Sequence, residues 1–366
     1  MVVPLAGRII AAIVGVLLIY SAARSVIGTL IVPRPVSGWL TSWVDRIVTV
    51  SYRMATARMT DHHRRDRLLA GQAPAILLMQ LVAWLVIFYI GFSLLEWPFA
   101  KDGISSAFSL AGPAVFGPND ALGGAQRTIA DLAAIAGLIT VTLQIAYLPT
   151  LYSEFNRREN EIALLNARGG VPSWGPELLA RTHYALGSGV STINTLPDLY
   201  ESWERWAADV AESHTTYLPL VRFRSPKPLS SWATALLAVL DSAALILTLS
   251  PKAAPEVPAR LCLRSGFLCF QDVSRAMGLQ VPDRVDPDAG ISLTYEQFLD
   301  AIARMREVDF PIDRDPKDAW PDFVGWRVNY ERYAFAIAAE IEAVPAMWSG
   351  PRRRPRPEIP PIRPPK

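Results

Sequence analysis

Two long apolar runs that flank a short stretch rich in glycine and proline constrain this chain more than any other feature. The first run, residues 73–97, carries no charge before Glu96. At about 1.5 Å per residue, a helix of this length crosses the ~30 Å hydrocarbon core of a bilayer. The second run, residues 128–150, has an uninterrupted apolar middle that contains Gly137. We therefore expect both runs to be transmembrane helices.

The stretch between these runs is too short and too interrupted to be another span. It contains an apolar half-helix, residues 104–110, followed by several glycines and prolines. Non-helical backbone at membrane depth persists only where it is buried in protein or lines water. The pattern therefore predicts a re-entrant pore loop, so that residues 73–151 form one pore module.

A third apolar segment, residues 9–32, lies near the start of the chain and is interrupted by Arg24. A cleaved signal peptide is the competing interpretation. The segment is longer than the apolar region of a signal peptide and ends without a clear cleavage motif, so we expect residues 1–32 to form a retained first span. The predicted fold is an all-α membrane protein with three transmembrane helices, a pore loop between the second and third, and a cytoplasmic helical domain.

The distribution of arginine predicts the orientation. Seven arginines lie between Pro33 and Pro74, whereas residues 98–127 carry only Lys101 and Arg127. Basic loops remain in the cytoplasm. The N-terminus is then outside, and the chain after Tyr152 is cytoplasmic in a multi-pass plasma-membrane protein.

The first loop, residues 33–72, contains two features. Residues 39–52 are apolar and aromatic beside Arg46, which suits either an interfacial helix on the inner leaflet or a helix packed on the spans. Residues 61–67 include two adjacent histidines and several charges. Adjacent histidines do not share a helix face, so a charge run facing lipid headgroups is favoured over a metal site.

The chain after the last span is helical by pattern. Residues 152–170 predict a linker helix that ends at Gly169 and Gly170, and residues 171–350 predict a helical domain. Its candidate helices are 175–186, 198–217, 229–249, 256–278, 294–307 and 319–344.

Three parts of this region need separate interpretation. Residues 232–249 resemble a span, but Asp241 at their centre favours a buried helix of the soluble bundle. Cys262 and Cys269 have no neighbouring metal ligands and are expected to be buried apolar residues. Residues 351–366 hold seven prolines and six basic residues, which predicts an extended, disordered tail.

A polar cluster in the helical domain has two interpretations. Arginine side chains and a nearby helix N-terminus suit an anionic ligand, and an ion-pair cluster with Asp241 or Glu212 explains the same residues. The members are His214, Arg222, Arg224 and Ser225. No phosphate-binding glycine loop, nucleophile elbow or metal-protease motif occurs, so an enzyme is not expected. The net charge of +2 gives no reason to expect nucleic-acid binding.

The stretch from Phe108 to Gly170 resembles bacterial potassium channels with two transmembrane helices and a pore loop. It holds the pore-like loop, the span that contains Gly137 and the exit segment, residues 145–159. The motifs at 213–217 and 223–226 resemble the cytoplasmic domain of an actinobacterial branch of that group. The resemblance implies a homotetramer around a central pore, gated by cytoplasmic domains, with potassium or another monovalent cation as the permeant ion and no cofactor.

The stretch equivalent to the channel filter departs from the family pattern. Potassium filters use a Thr-Val-Gly-Tyr-Gly-like sequence whose carbonyls replace the hydration shell of the ion. Here the threonine is missing and Pro118 follows the one glycine after the aromatic residue. Gly137 is the expected gating hinge. The expected pore and filter residues are Gly112, Ala114, Val115, Phe116, Gly117, Asn119 and Asp120.

Two functions therefore remain open. The first is a channel for monovalent cations, in which Asp120 concentrates cations at the outer mouth. The second is a non-conducting, membrane-anchored sensor or scaffold that binds a partner or an anionic ligand through the cytoplasmic domain. A membrane hydrolase using His214 lacks a convincing nucleophile.

Overall fold

A computed structural model describes residues 5–32, 38–100, 105, 107–109, 124–184, 192–282, 284–286 and 289–363. These residues are predominantly helical, and no strand occurs among them beyond an isolated bridge between Ala346 and Ile359. The chain divides into two compact units. Unit 1 is Met1–Arg58 with Gly71–Ser153, and unit 2 is Met59–Ala70 with Glu154–Lys366.

Unit 1 contains the three long apolar helices expected from the sequence. They are α1 (Leu5–Leu30), α4 (Gln72–Glu96) and the first part of α5 (Ala125–Gly169), whose last residues belong to unit 2. All three are long and apolar enough to cross a membrane. Many of their large apolar side chains are exposed, including Ile10, Leu78 and Leu138, as lipid-facing positions require.

Small residues bring α1 and α4 together. A Cβ placed on Gly15 would lie 2.5 Å from the carbonyl oxygen of Gly91. The indole of the fully buried Trp84 donates a hydrogen bond to Ser25 Oγ at 3.0 Å. Close backbone approach and an interhelical hydrogen bond hold helices together where the hydrophobic effect between them is weak.

The helix α2 (Trp39–Thr56) has features of both interpretations of the first loop, since one of its faces is packed and the other is exposed. Val44 and Val48 are buried in a cluster with Ile76 of α4, so one face packs on a span. The opposite face exposes Trp39 and Trp43. This helix is therefore packed and retains an exposed aromatic face that suits a membrane interface.

Unit 2 is built around a buried helix, α8 (Trp232–Leu249). It is long and apolar enough to span, yet 94% of it is buried within the protein. The expectation that this segment is buried is confirmed. Cys262 and Cys269 are also buried and unpaired with each other, as expected. The other helices of unit 2 are α3 (His62–Leu69), α6 (Gly175–Tyr184), α7 (Leu196–Thr216), α9 (Glu256–Ala276), α10 (Tyr295–Arg306), α11 (Pro316–Arg327) and α12 (Glu331–Glu340).

The prediction of a single helix over residues 319–344 is wrong, because α11 and α12 are separate helices. The side-chain amide of Asn329 donates hydrogen bonds to the carbonyls of Gly325 and Trp326. A side chain that satisfies carbonyls at a helix end competes with continuation of the helix. The break also separates Arg327 from Tyr330, and both contact Asp241 of α8.

Two further boundaries differ from expectation. The tail, expected to be disordered, packs on unit 2 over residues 351–363. Arg352 is buried, and Ile362 N–H donates to the Val171 carbonyl at 2.8 Å. Residues 59–70, expected to be part of a solvated loop, belong to unit 2. In both segments, polar groups that have no partner nearby in the chain pair with residues of unit 2 that are distant in sequence.

Candidate functional sites

The expected filter lies outside the described residues. This applies to Gly112, Ala114, Val115, Phe116, Gly117, Asn119 and Asp120. The geometry that bears on the pore module therefore comes from the segments on either side.

A short helical segment precedes the filter stretch, formed by residue 105 and residues 107–109. Ala107 is fully buried. The hydroxyl of Tyr89 donates to the Phe108 carbonyl at 3.3 Å, and the two rings meet edge to face with centroids 5.5 Å apart. The chain after α4 therefore contacts the body of α4 rather than only its end.

The expected hinge, Gly137, lies in an unbroken part of α5. It belongs to a buried stripe that also contains Ala133, Thr140, Gln144 and Tyr147. Their spacing of three and four residues places them on one helix face. Thr140 satisfies its hydroxyl by donating to the Ala136 carbonyl at 2.7 Å, so polar side chains occur on this face without breaking the helix.

His214 of α7 lies inside unit 2 and contacts Arg158 of α5. The distance between Arg158 Nη1 and His214 Nε2 is 3.0 Å, and the same guanidinium donates to the carbonyls of Leu220 and Phe223 at 2.8 Å. Burial, assisted by the Arg158 charge, holds the pKa of His214 well below its usual value of 6.5. His214 is therefore neutral and positions Arg158, with no exposed face for a ligand.

Arg222 and Arg224 are paired within unit 2. Arg222 pairs with Glu340 at 3.2 Å. Arg224 pairs with Asp66 at 2.5 Å and also donates to the carbonyls of Ile341 and Glu342. Their partners are thus neither Asp241 nor Glu212, as the ion-pair interpretation proposed, although an ion-pair cluster does form.

The space left at this cluster is small. Ser225 is buried with an unpartnered hydroxyl, beside a cavity of about 10 Å³ that is also lined by Arg222 and Arg224. A cavity of that size holds at most one water. In this arrangement the four expected ligand-binding residues do not enclose room for an anionic ligand.

Sequence reasoning missed an arginine cluster that docks residues 59–70 into unit 2. Arg65 of α3 forms an ion pair with Glu342, and both side chains are buried. Asp66 pairs with Arg224, and Arg356 of the tail donates to the Met59 carbonyl. An available signal was the helical spacing of His62, Arg65, Asp66 and Leu69, which places these four residues on one face.

The second feature that was missed is a cavity of about 610 Å³ between the ends of α8, α9 and α11. Ligand pockets are commonly about 300–1,000 Å³. The Arg260 guanidinium lies 5.9 Å from the Trp326 ring centroid and pairs with Glu256 at 2.8 Å. Asp322 lines another side and pairs with Arg314 at 2.7 Å. The cavity thus offers an aromatic wall and charges of both signs.

No family model, curated protein or solved structure matches this chain. Among the described residues, no group of three or more histidine, cysteine or acidic side chains could hold a metal ion.

Proposed function

We propose that this protein is an ion-channel-like integral membrane protein that conducts monovalent cations, with potassium as the expected ion, as a homotetramer gated by its cytoplasmic helical domain. Residues 112–120 form the filter in this proposal, and α1, α4 and α5 are the three spans. The N-terminus is outside and unit 2 is cytoplasmic.

The observation that carries the proposal is the contact between Tyr89 and Phe108. Tyr89 precedes Glu96, the last residue of α4, by seven positions, which corresponds to about 10 Å along a helix. A chain that leaves α4 and then contacts Tyr89 has returned along the helix. A return of this kind, between two helices able to span, supports a re-entrant loop over a simple extracellular connection.

The continuity of α5 supports a link between the pore module and unit 2. This single helix runs from Ala125 to Gly169 and contributes to both units. In unit 2, Arg158 is fixed by His214 and by two carbonyl groups. A displacement of these contacts would be transmitted along a helix that has no break at Gly137.

Flux through reconstituted protein tests the proposal. Rubidium uptake into proteoliposomes is expected for the full chain and is expected to fall on Asp120→Lys, because a cation at the outer mouth repels permeant cations. Asp272→Lys, an exposed charge reversal in unit 2 away from the Trp326 cavity, is the control and should retain flux. A folded tetramer, shown by light scattering, that passes no cation would refute the proposal.

The Trp326 cavity favours a second candidate function, the membrane-anchored sensor or scaffold. Its volume and its mixture of indole, guanidinium and carboxylate groups suit a small polar ligand. A thermal-stability screen of the full chain against small metabolites tests it. Stabilisation should be lost on Trp326→Ala and retained on Trp39→Ala, which changes an exposed residue of unit 1. Stabilisation that survives Trp326→Ala would exclude this cavity.

A further inference from the structure

The helix α3 has two chemically different faces. His62, Arg65, Asp66 and Leu69 form the inner face, where Arg65 and Leu69 are buried in unit 2. The outer face carries Arg64, Arg67 and Leu68, all of which are exposed. Arg64 is 84% exposed, and its ion pair with Asp61 is long, at 3.5 Å. The two outer arginines are therefore held on a fixed helix and remain open to an external partner.

The surroundings of α3 carry more positive than negative charge. The carboxylates near α3 are engaged by arginines: Glu342 pairs with Arg65, Asp66 pairs with Arg224, and Glu340 pairs with both Arg222 and Arg353. Asp61 contacts Arg64, and Glu358 lies close enough to attract the Arg352 guanidinium. Two more arginines, Arg352 and Arg356, place their hydrogen bonds mainly on backbone carbonyls, which do not cancel charge. Arg224, Arg352, Arg354 and Arg356 all lie close enough to repel the Arg65 guanidinium.

The uncompensated charge persists at neutral pH. Burial lowers the pKa of Arg352 to about 10, which still leaves its guanidinium protonated at pH 7. The positive field around α3 is thus a fixed property of unit 2, and an anion that approaches the outer face meets it.

Chain connectivity limits how far the outer face can lie from a membrane. Four residues separate Arg67 from Gln72, where α4 begins. Even a fully extended chain of that length covers only about 17 Å. The polar headgroup layer on each side of a bilayer is roughly 5–8 Å thick. If α4 spans, Arg67 and Arg64 therefore lie at or beside the headgroups.

We propose that the outer face of α3, through Arg64 and Arg67, binds the phosphate groups of anionic phospholipids in the adjacent leaflet. Leu68 directly follows Arg67 and lies about one helical turn after Arg64, so it shares the outer face and contributes an apolar contact at the acyl boundary. The proposal rests on α4 spanning a bilayer, as in the proposed function, and not on ion conduction. A protein without flux that binds anionic lipid would refute the channel and leave this proposal standing.

Native mass spectrometry of the full chain in detergent tests this proposal, by titration with phosphatidylglycerol and with phosphatidylcholine. The unmodified protein is expected to bind phosphatidylglycerol more tightly. An arginine near an anionic surface contributes about fivefold in affinity, so Arg64→Gln with Arg67→Gln should weaken phosphatidylglycerol binding roughly thirtyfold. Arg64→Lys with Arg67→Lys keeps both charges and should remain within a few-fold of the unmodified protein.

The control is Arg205→Gln with Arg306→Gln, which removes two exposed arginines of unit 2 that lie far along the chain from any span of unit 1. It should bind phosphatidylglycerol as the unmodified protein does. Equal affinity of the Arg64 and Arg67 glutamine variant and the unmodified protein would overturn the proposal. Full displacement of lipid by equimolar glycerol phosphate would also overturn it, because the site would then take a soluble phosphate.

Discussion

The ion pair between Arg65 and Glu342 holds residues 59–70 in unit 2, and Glu342→Gln tests its strength. The side chains of Arg65 and Glu342 are 4% and 9% exposed, so water screens the pair little. Glutamine keeps the shape of glutamate but removes its charge, and leaves the Arg65 guanidinium buried among Arg224, Arg352 and other arginines. Removal of one partner of a buried ion pair destabilises by about 3–5 kcal/mol.

Undocking of residues 59–70 provides a way to relieve this penalty. If the segment leaves unit 2, Arg65 returns to water. The free-energy cost of Glu342→Gln therefore cannot exceed the free energy that docks the segment. A loss of about 3 kcal/mol corresponds to an increase of roughly 100-fold in the population of the undocked form. Amide hydrogen exchange reports that population, because the backbone hydrogen bonds of α3 open when the segment leaves.

Hydrogen exchange of the full chain in lipid nanodiscs, read by mass spectrometry, measures this effect. Peptides within residues 59–70 should exchange roughly 100-fold faster in Glu342→Gln. The matched control is Glu256→Gln, whose ion pair with Arg260 is more than half exposed and should contribute no resolvable protection. Unchanged exchange in Glu342→Gln would refute the reasoning, and so would an equal effect of Glu256→Gln.

Two further predictions concern His214 and the packing of α1 on α4. Burial lowers the pKa of His214 far below 6.5, so that just below pH 6.5 this histidine takes up a proton in the unfolded chain but not in the folded protein. Protonation then favours the unfolded chain, and the free energy of unfolding falls by up to about 1.4 kcal/mol per pH unit below about pH 6.5. His214→Gln should flatten the dependence of the unfolding midpoint on pH below 6.5, and an unchanged slope would count against a buried neutral histidine. Gly15→Ala places a Cβ 2.5 Å from the Gly91 carbonyl oxygen and should destabilise by about 1–3 kcal/mol in a detergent unfolding titration. Ile13→Ala, on the exposed face, should have a smaller effect, and the reverse order would refute the packing.

The apolar spans could be read from the sequence because hydropathy is a local property. Residues 9–32, 73–97 and 128–150 are predicted from composition and length alone, and the structure has long helices there. The interior position of α8 was also predictable, because Asp241 makes the segment costly to bury in lipid. The sequence does not indicate which cation satisfies Asp241. That cation is Arg327, a residue of α11 far along the chain, whose guanidinium lies 2.6 Å from the Asp241 carboxylate.

The wrong expectations for residues 59–70 and for the tail share one cause. Residues 59–70 and 351–363 are polar and basic, which locally favours exposure, and each is nevertheless held in unit 2 by partners distant in sequence. Arg222 and Arg224 were recognised from the sequence as candidate ligand residues. The carboxylates that form ion pairs with them, Glu340 and Asp66, were not recognised.

The sequence by itself determined where this protein has apolar helices, because burial in lipid or in a core depends on side chains summed over a local window. Only the tertiary structure decided which charges are neutralised and which remain open. That decision depends on distances between residues far apart in the chain. It separates Arg65, which is paired and buried in unit 2, from Arg64 and Arg67, which are exposed on the outer face of α3.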